Sequence, residues 1–286
     1  MKNISRKGEK KMINFRKFRL FVILVLISFL LGGGSILATE TIVVIKGSTT
    51  ILPIAQSCAE VFMEENQEIS ISVQGGGSGV GIASLIDKTC NIATASRPIK
   101  EKERATAQEK GVNPVETVVA RDAIALVVHP SNILTGLTLA DIKAIYTGKV
   151  SNWSEVGGAD QEIIVVSRDS ASGTFETFNE LALEGEKVRA DALLQASNAA
   201  VVTTVANTPG AIGYVGLGYV SKEVKALSVN EVMPSKETVN AGNYPLARSL
   251  FMYTDGKPEG AVKKFVDFVL SAEGQKLVEE NGYISL

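Results

Sequence analysis

From residue 41 onward the chain alternates short apolar runs with stretches whose apolar residues recur every three or four positions. "TIVVI" (residues 41–45) reads as a buried strand, and Ile51, Ile54, Ala55, Cys58, Val61 and Phe62 predict a helix behind it. "EISISVQ" is a second strand and "NIATAS" a third; "KEKERATAQEKG" (residues 100–111) is a charged surface helix closed by glycine. "AIALVVHP" is a strand ending at Pro130. A second series then begins: helix "TLADIKAIYTG", strand "EIIVVS", helices "GTFETFNELAL" and "NAAVVTTVANTPG", and strand "AIGYV". "ARSLFMYT" is one more strand. Val262, Phe265, Val266 and Val269 share a helical face, and Ser271 caps a final helix, "SAEGQKLVEENG". Such alternation predicts an α/β fold with helices on both faces of its sheets. Two series meeting near Pro130 predict two lobes, with the late strand and terminal helices rejoining the first.

Residues 1–38 follow a different pattern. Eight Lys or Arg and one Glu precede "LFVILVLISFLL" and then "GGGSILA". A basic start, an apolar run and a small residue read as an export signal cleaved after Ala38. An uncleaved anchor is the alternative, although the run is short for a span of ~20 residues. Met12 is an alternative start, and the absence of cysteine near the cleavage region argues against a lipid anchor. Without residues 1–38 the basic count falls from 29 to 21 and the acidic count from 31 to 30, a formal charge of −9. That balance argues against nucleic acid, which needs a basic footprint. Any anion site must therefore work by local geometry against the net charge. Cys58 and Cys90 are the only cysteines; one disulfide and two buried thiols are equally open readings.

The chemistry concentrates where strands end. "KGSTT" (residues 46–50) follows the first strand, "GGGSGVG" (75–81) the second, "SRP" (96–98) the third, and "SRDSASGT" (167–174) ends a strand of the second series. A helix N-terminus offers unpaired N–H groups and partial positive charge, and small residues let an anion approach them. In open α/β sheets ligands sit beyond the carboxyl ends of strands. Taken singly, these clusters are a helix cap, a flexible turn and a surface charge; four together predict one converging anion site. Arg168 is read as a bidentate anion donor held by Asp169, with a structural ion pair as the alternative.

Enzyme signatures are missing. "GGGSGVG" lacks the Gly-Lys-Ser/Thr of a nucleotide phosphate loop and matches neither G-x-G-x-x-G nor G-x-S-x-G. The single histidine, His129, sits before Pro130, away from any nucleophile motif, and a His/Cys zinc site lacks ligands. No catalytic residue, cofactor or metal is expected.

"KGSTTILPIA", "VQGGGSGVG", "ATASRPI", "SRDSASGTFETF" and "TPGAIGYV" together resemble the periplasmic phosphate-binding proteins of ABC-type phosphate uptake systems, from about Val43 to the C-terminus. The resemblance implies a two-lobe periplasmic-binding-protein fold of type II, closing on one dehydrated phosphate in the cleft and delivering it to a membrane permease. Carried over by position, it implies donors at Ser48, Thr49, Thr50, Ser78, Ser96, Arg168, Ser172, Gly173 and Thr174, with Asp169 orienting Arg168. Some members carry an acid, the acceptor of the phosphate proton, where this chain has Arg97. Arg97 is kept among the site residues, and Asp122 is the candidate acceptor in its place; a strand-end charge or a partner for Arg121 are its other readings.

The expectation is an exported, monomeric phosphate-binding component with no enzymatic activity, lobe I spanning residues 39–130 and 243–286 and lobe II residues 131–242. Its partners would be inorganic phosphate and the permease subunits, with no nucleic acid. Sulfate, molybdate or another oxyanion in the same fold, or a secreted phosphatase, are the competing readings.

Overall fold

Burial alternates along β1 (Thr41–Gly47), which pairs in parallel with β2 (Ile69–Gly75) and β3 (Ile92–Ala95); Ile45 lies between Val73 and Ile92. The computed structural model describes residues 41–286, so the expected export signal and its cleavage point lie outside the described residues. Parallel neighbours need crossovers. α1 (Leu52–Glu65) supplies the first, burying Ile54, Ala55, Cys58, Ala59 and Phe62, and α2 (Ser78–Ile86) the second.

The next strand in the sheet, β10 (Ala247–Asp255), comes from the far end of the sequence. It runs antiparallel to both β3 and β4 (Pro114–Val128). β4 is 15 residues long, starting well before the apolar run at Ala123 and ending at Val128 rather than Pro130. Glu116, Arg121 and Asp122 mask its first half in the sequence. That half pairs with β10, while Ile124–Val128 pairs with β8 (Ala211–Gly216) and its last three residues also with β9 (Lys225–Val229), whose other edge takes the short β5 (Gly136–Leu137). β8 runs parallel to β6 (Ile164–Arg168), and β6 to the short edge strand β7 (Leu193–Gln195).

The cores change over along β4. Val119 and Ala120 pack with Ile45, Ile51, Phe62, Ile92, Met252 and Phe265. Ala123, Ile124 and Leu126 pack with Tyr146, Trp153, Phe178, Leu183 and Tyr214. In the second group the Phe178 and Tyr214 rings stack at 4.0 Å, and Tyr146 meets Phe178 edge-on at 4.8 Å. β10 changes over in the same way, Leu250 joining the first core and Leu246, just before it, the second. Each buried Leu, Ile or Phe contributes roughly 1.5–3 kcal/mol, so each body carries its own apolar core.

Cys58 and Cys90 are free, buried thiols rather than a disulfide. Burial pushes their pKa values up to about 12 and about 11. Among the described residues no helix is long and apolar enough to cross a membrane.

Candidate functional site

The turn after β1 places Ser48, Thr49 and Thr50 at the head of α1, all three side chains buried. Ser48 folds back so that its Oγ accepts the Thr50 N–H at 3.1 Å. The loop after β2 is built on glycine: Gly77 has φ +98°, and a Cβ there would lie 2.5 Å from the Ala171 carbonyl. That close approach lets the Gly79 N–H donate to Ala171 O at 3.0 Å, joining this loop to the one after β6. Ser78, at the start of α2, accepts the Ser96 N–H at 3.0 Å and lies 3.3 Å from the Ser96 hydroxyl.

From the other body comes α5 (Gly173–Leu183), with α3 (Glu101–Glu109) and α4 (Leu139–Tyr146) preceding it in the chain. Ser172 caps α5, its Oγ accepting the Phe175 N–H at 3.2 Å. A Cβ at Gly173 would lie 2.2 Å from Ser78 Oγ and 2.9 Å from Ser96 Oγ, so only glycine lets the helix start reach the first body. Thr174 Oγ1 lies 3.0 Å from Thr50 Oγ1. Strands β1, β2, β3 and β6 thus bring Ser48, Thr49, Thr50, Ser78, Ser96, Ser172, Gly173 and Thr174 to one buried cluster.

Arg168 ends β6 and is 2% exposed. Its Nε donates to Gln195 O at 2.9 Å, and its Nη2 donates to Ala196 O at 3.0 Å and to Thr49 Oγ1 at 3.3 Å. Its Nη1 is buried and takes no partner from the described residues. Burial pushes the guanidinium down from its ordinary pKa, against Tyr214 and Asp169. Leaving a buried guanidinium N–H unmade is costly, so this donor is suited to an acceptor brought in from outside.

Two expected partners stand elsewhere. Asp169 does not hold Arg168 by a hydrogen bond; its Oδ1 accepts the Ala171 N–H at 3.0 Å and shapes the turn into α5. Two backbone carbonyls hold Arg168 instead. Arg97 is turned away from the hydroxyl cluster: Nη1 donates to Glu103 at 2.8 Å and to Pro98 O at 2.8 Å, Nη2 donates to Glu103 at 2.7 Å, and Nε lies against Glu176. Two carboxylates, Glu103 and Glu176, thus stand against Arg97.

Asp122 is fully buried, and its partner is Arg248 rather than Arg121, which donates to Asn240 at 3.3 Å. Asp122 Oδ1 also accepts the Leu217 N–H at 2.9 Å. Burial pushes this carboxyl up, opposed by the Arg248 guanidinium and by the Leu217 and Ala123 N–H groups.

Sequence reasoning missed Arg248 and Asn198. Arg248 donates weakly to Ser96 O at 3.3 Å and to Thr50 Oγ1 at 3.4 Å. Asn198 opens α6 (Asn198–Asn207), and its amide donates to Thr49 Oγ1 at 3.0 Å and to Thr50 Oγ1 at 3.2 Å. Their signals were a charge inside an apolar strand and an amide at a helix start capped by Ser197. Tyr219 and Tyr283 complete the wall, donating to the Thr49 and Thr50 carbonyls at 2.7 Å each.

Around the hydroxyls stand two buried guanidiniums and one fully buried carboxylate. That is a donor-rich enclosure suited to a small oxyanion. His129 bonds Ser131 Oγ at 2.7 Å, and among the described residues no group of three His, Cys, Asp or Glu is placed to hold a metal ion.

The family model of the PBP superfamily domain matches residues 35–273. The chain is 36% identical over 259 residues to the phosphate-binding protein PstS of Borreliella burgdorferi, covering 86% of this chain and 91% of that one. It is 37% identical to PstS of Bacillus subtilis, covering 84% and 79%. Among solved structures, a Clostridium perfringens substrate-binding protein of the phosphate ABC transporter type, solved with bound phosphate, superimposes with a TM-score of 0.81 at 33% identity, covering 86% of this chain and all of that one. An ABC-type phosphate transport receptor from Vibrio cholerae gives 0.71 at 32% identity, covering 85% and 100%.

Proposed function

We propose that this chain, which belongs to the PBP superfamily and within it to the PstS-like phosphate-binding proteins, is the substrate-binding component of an ABC phosphate uptake system. It captures inorganic phosphate by lobe closure and releases it chemically unchanged to permease subunits in the membrane. The observation that carries this reading is the buried Nη1 of Arg168, without a partner among the described residues, on a guanidinium whose Nη2 reaches the Thr49 hydroxyl of the first body.

The mechanism follows from solvation. A multiply charged anion loses far more by leaving water than apolar contact returns, so each hydration bond must be replaced. Arg168 Nη1, the hydroxyls of Ser48, Thr49, Thr50, Ser78, Ser172 and Thr174, and the N–H groups at the start of α5 are the replacements. Their supply from two bodies means that the full set exists only when the lobes are shut. The lobes are assigned as residues 39–130 with 243–286, and 131–242; β4 and β10 are the strands that bend. The acceptor of the phosphate proton is Asp122, kept in register by Arg248.

Residues 1–38 direct export, so the mature protein works outside the cytoplasmic membrane. N-terminal sequencing should find a start near Thr39, and an intact apolar run on membrane-bound protein would overturn that part. Calorimetric titration with phosphate, sulfate and molybdate tests the function. Binding of phosphate alone is expected; preference for another oxyanion, or turnover of a phosphate ester, would replace the reading.

A further inference from the structure

Glu176 stands one turn into α5, just beyond the donors at Ser172, Gly173 and Thr174. Its carboxylate meets two cations of the other body. Arg97 Nε lies against Oε2 as an ion pair without hydrogen-bond alignment, and Lys100 Nζ lies 2.9 Å from the same oxygen. The two sides belong to separate cores. Phe178, Ala182 and Leu183 anchor α5 in one, while Ala95, Ile99 and Ala107, flanking Arg97 and Lys100, pack in another with Ile82, Leu85 and Tyr253. Arg97 is not free to follow Glu176 if the bodies part. Glu103 grips its far edge with two bonds, and Glu103 is itself tied to the Lys100 N–H at 2.9 Å. This grip holds Glu103 below the ordinary carboxylate range, although burial alone would push it up.

The geometry points to Glu176 as a positioning residue. Bridged to Arg97 and Lys100, it pins the start of α5 against the Ser78–Ser96 pair and thereby sets how fast a captured anion leaves. This rests on the reading of the site as a phosphate receptor. The contact lies outside the ring of donors, and Thr177, next along α5, also reaches across to Ser96 O at 3.4 Å. Arg97 is 5% exposed and Glu176 18%, whereas Lys100 is 53% exposed, so the bridge runs from the protein interior to solvent and salt can weaken it. An acid in the first turn of a helix also favours the helix itself. That purely local role makes the opposite prediction for ligand release, because an unbridged carboxylate near the site would repel an anion.

The test is stopped-flow measurement of phosphate release from wild type, Glu176→Gln, Lys100→Gln and the double variant. Glu176→Gln should release phosphate about 5–50-fold faster, with the association rate changed less than about twofold. Lys100→Gln should give a smaller acceleration of about 2–5-fold, and the double variant should fall short of the product of the two. Wild-type release should quicken between about 0.05 and about 0.5 M NaCl, and Glu176→Gln should be less responsive. Unchanged or slower release in Glu176→Gln overturns the proposal. Should Glu176→Gln fail to fold, the exposed Lys100→Gln decides by the same reading of rate and salt response. If the wild type takes up no phosphate, the phosphate reading itself fails. The bridge is then judged by small-angle X-ray scattering of the unliganded proteins: a larger radius of gyration in Glu176→Gln supports it, and equal radii overturn it.

Discussion

Arg248 on β10 stands directly opposite Asp122 on β4 in the antiparallel ladder, and its Nε and Nη2 donate to Asp122 Oδ2 at 2.9 and 2.7 Å. Both strands pass from one core to the other near these residues. The pair therefore ties together the two strands that run between the cores, while Arg248 also reaches Ser96 and Thr50 in the candidate site. Removing one partner of such a buried pair strands the other charge. Arg248→Ala should lower stability by about 3–5 kcal/mol, measured as a shift in the denaturant midpoint.

Asp122→Asn addresses selectivity. Phosphate carries at least one proton at neutral pH and sulfate none, so a carboxylate acceptor welcomes one and repels the other. Asparagine can also donate. The variant should bind phosphate less tightly and begin to admit sulfate in competition titrations. Unaltered phosphate affinity with continued indifference to sulfate would leave Asp122 as a partner for Arg248 alone.

Arg168→Ala should weaken phosphate binding by about 2–5 kcal/mol while the fold survives. Arg168→Lys should also lose affinity, because an ammonium cannot hold Gln195 O and Ala196 O and still present a further planar N–H. Calorimetry gives the affinities, and unchanged curves for both variants would remove Arg168 from the site.

Gly173→Ala separates folding from closure. The added methyl meets Ser78 and Ser96, which belong to the opposite body. The unliganded variant should keep its secondary structure and its thermal midpoint within a few degrees, yet bind phosphate at least tenfold more weakly.

Acid should weaken the protein partly through Glu103. Its folded pKa lies below the unfolded value. Its contribution is therefore present above the unfolded carboxylate range, ~4.3, and is lost as pH falls through the folded value. Glu103→Gln should show a shallower decline of the thermal midpoint below about pH 5.

The thiols should be silent in the native state. Burial without a charged partner on Cys58 removes the thiolate that a disulfide reagent needs. Native protein should react slowly at pH 8, and denatured protein should titrate two thiols.

The elements and the site motifs were legible because their signals are local. A helix declares itself through spacing, as in residues 173–183, where the observed α5 coincides with the "GTFETFNELAL" pattern. Hydroxyls and glycine at strand ends likewise announce donors, whatever they turn out to face. Arg168 stood out as a candidate from its place between a strand and a helix start, and the structure buries it there.

Partnership is different, because it depends on which strands become neighbours. Arg248 lies 126 residues from Asp122, and only the insertion of β10 beside β4 makes them a pair. Asp169 follows Arg168 in sequence, yet consecutive residues of an extended chain point to opposite sides. The carbonyls of Gln195 and Ala196, brought alongside by β7, hold the guanidinium instead. Arg97 looked available for a ligand because nothing in "SRPIKEKE" reveals that α3 folds Glu103 back onto it, or that α5 brings Glu176 across from the other body. The sequence by itself determined which residues could bind an anion. The packing of distant strands decided how they are engaged: Arg97 is gripped by Glu103 and set against Glu176, whereas Arg168 keeps its Nη1 without a partner among the described residues.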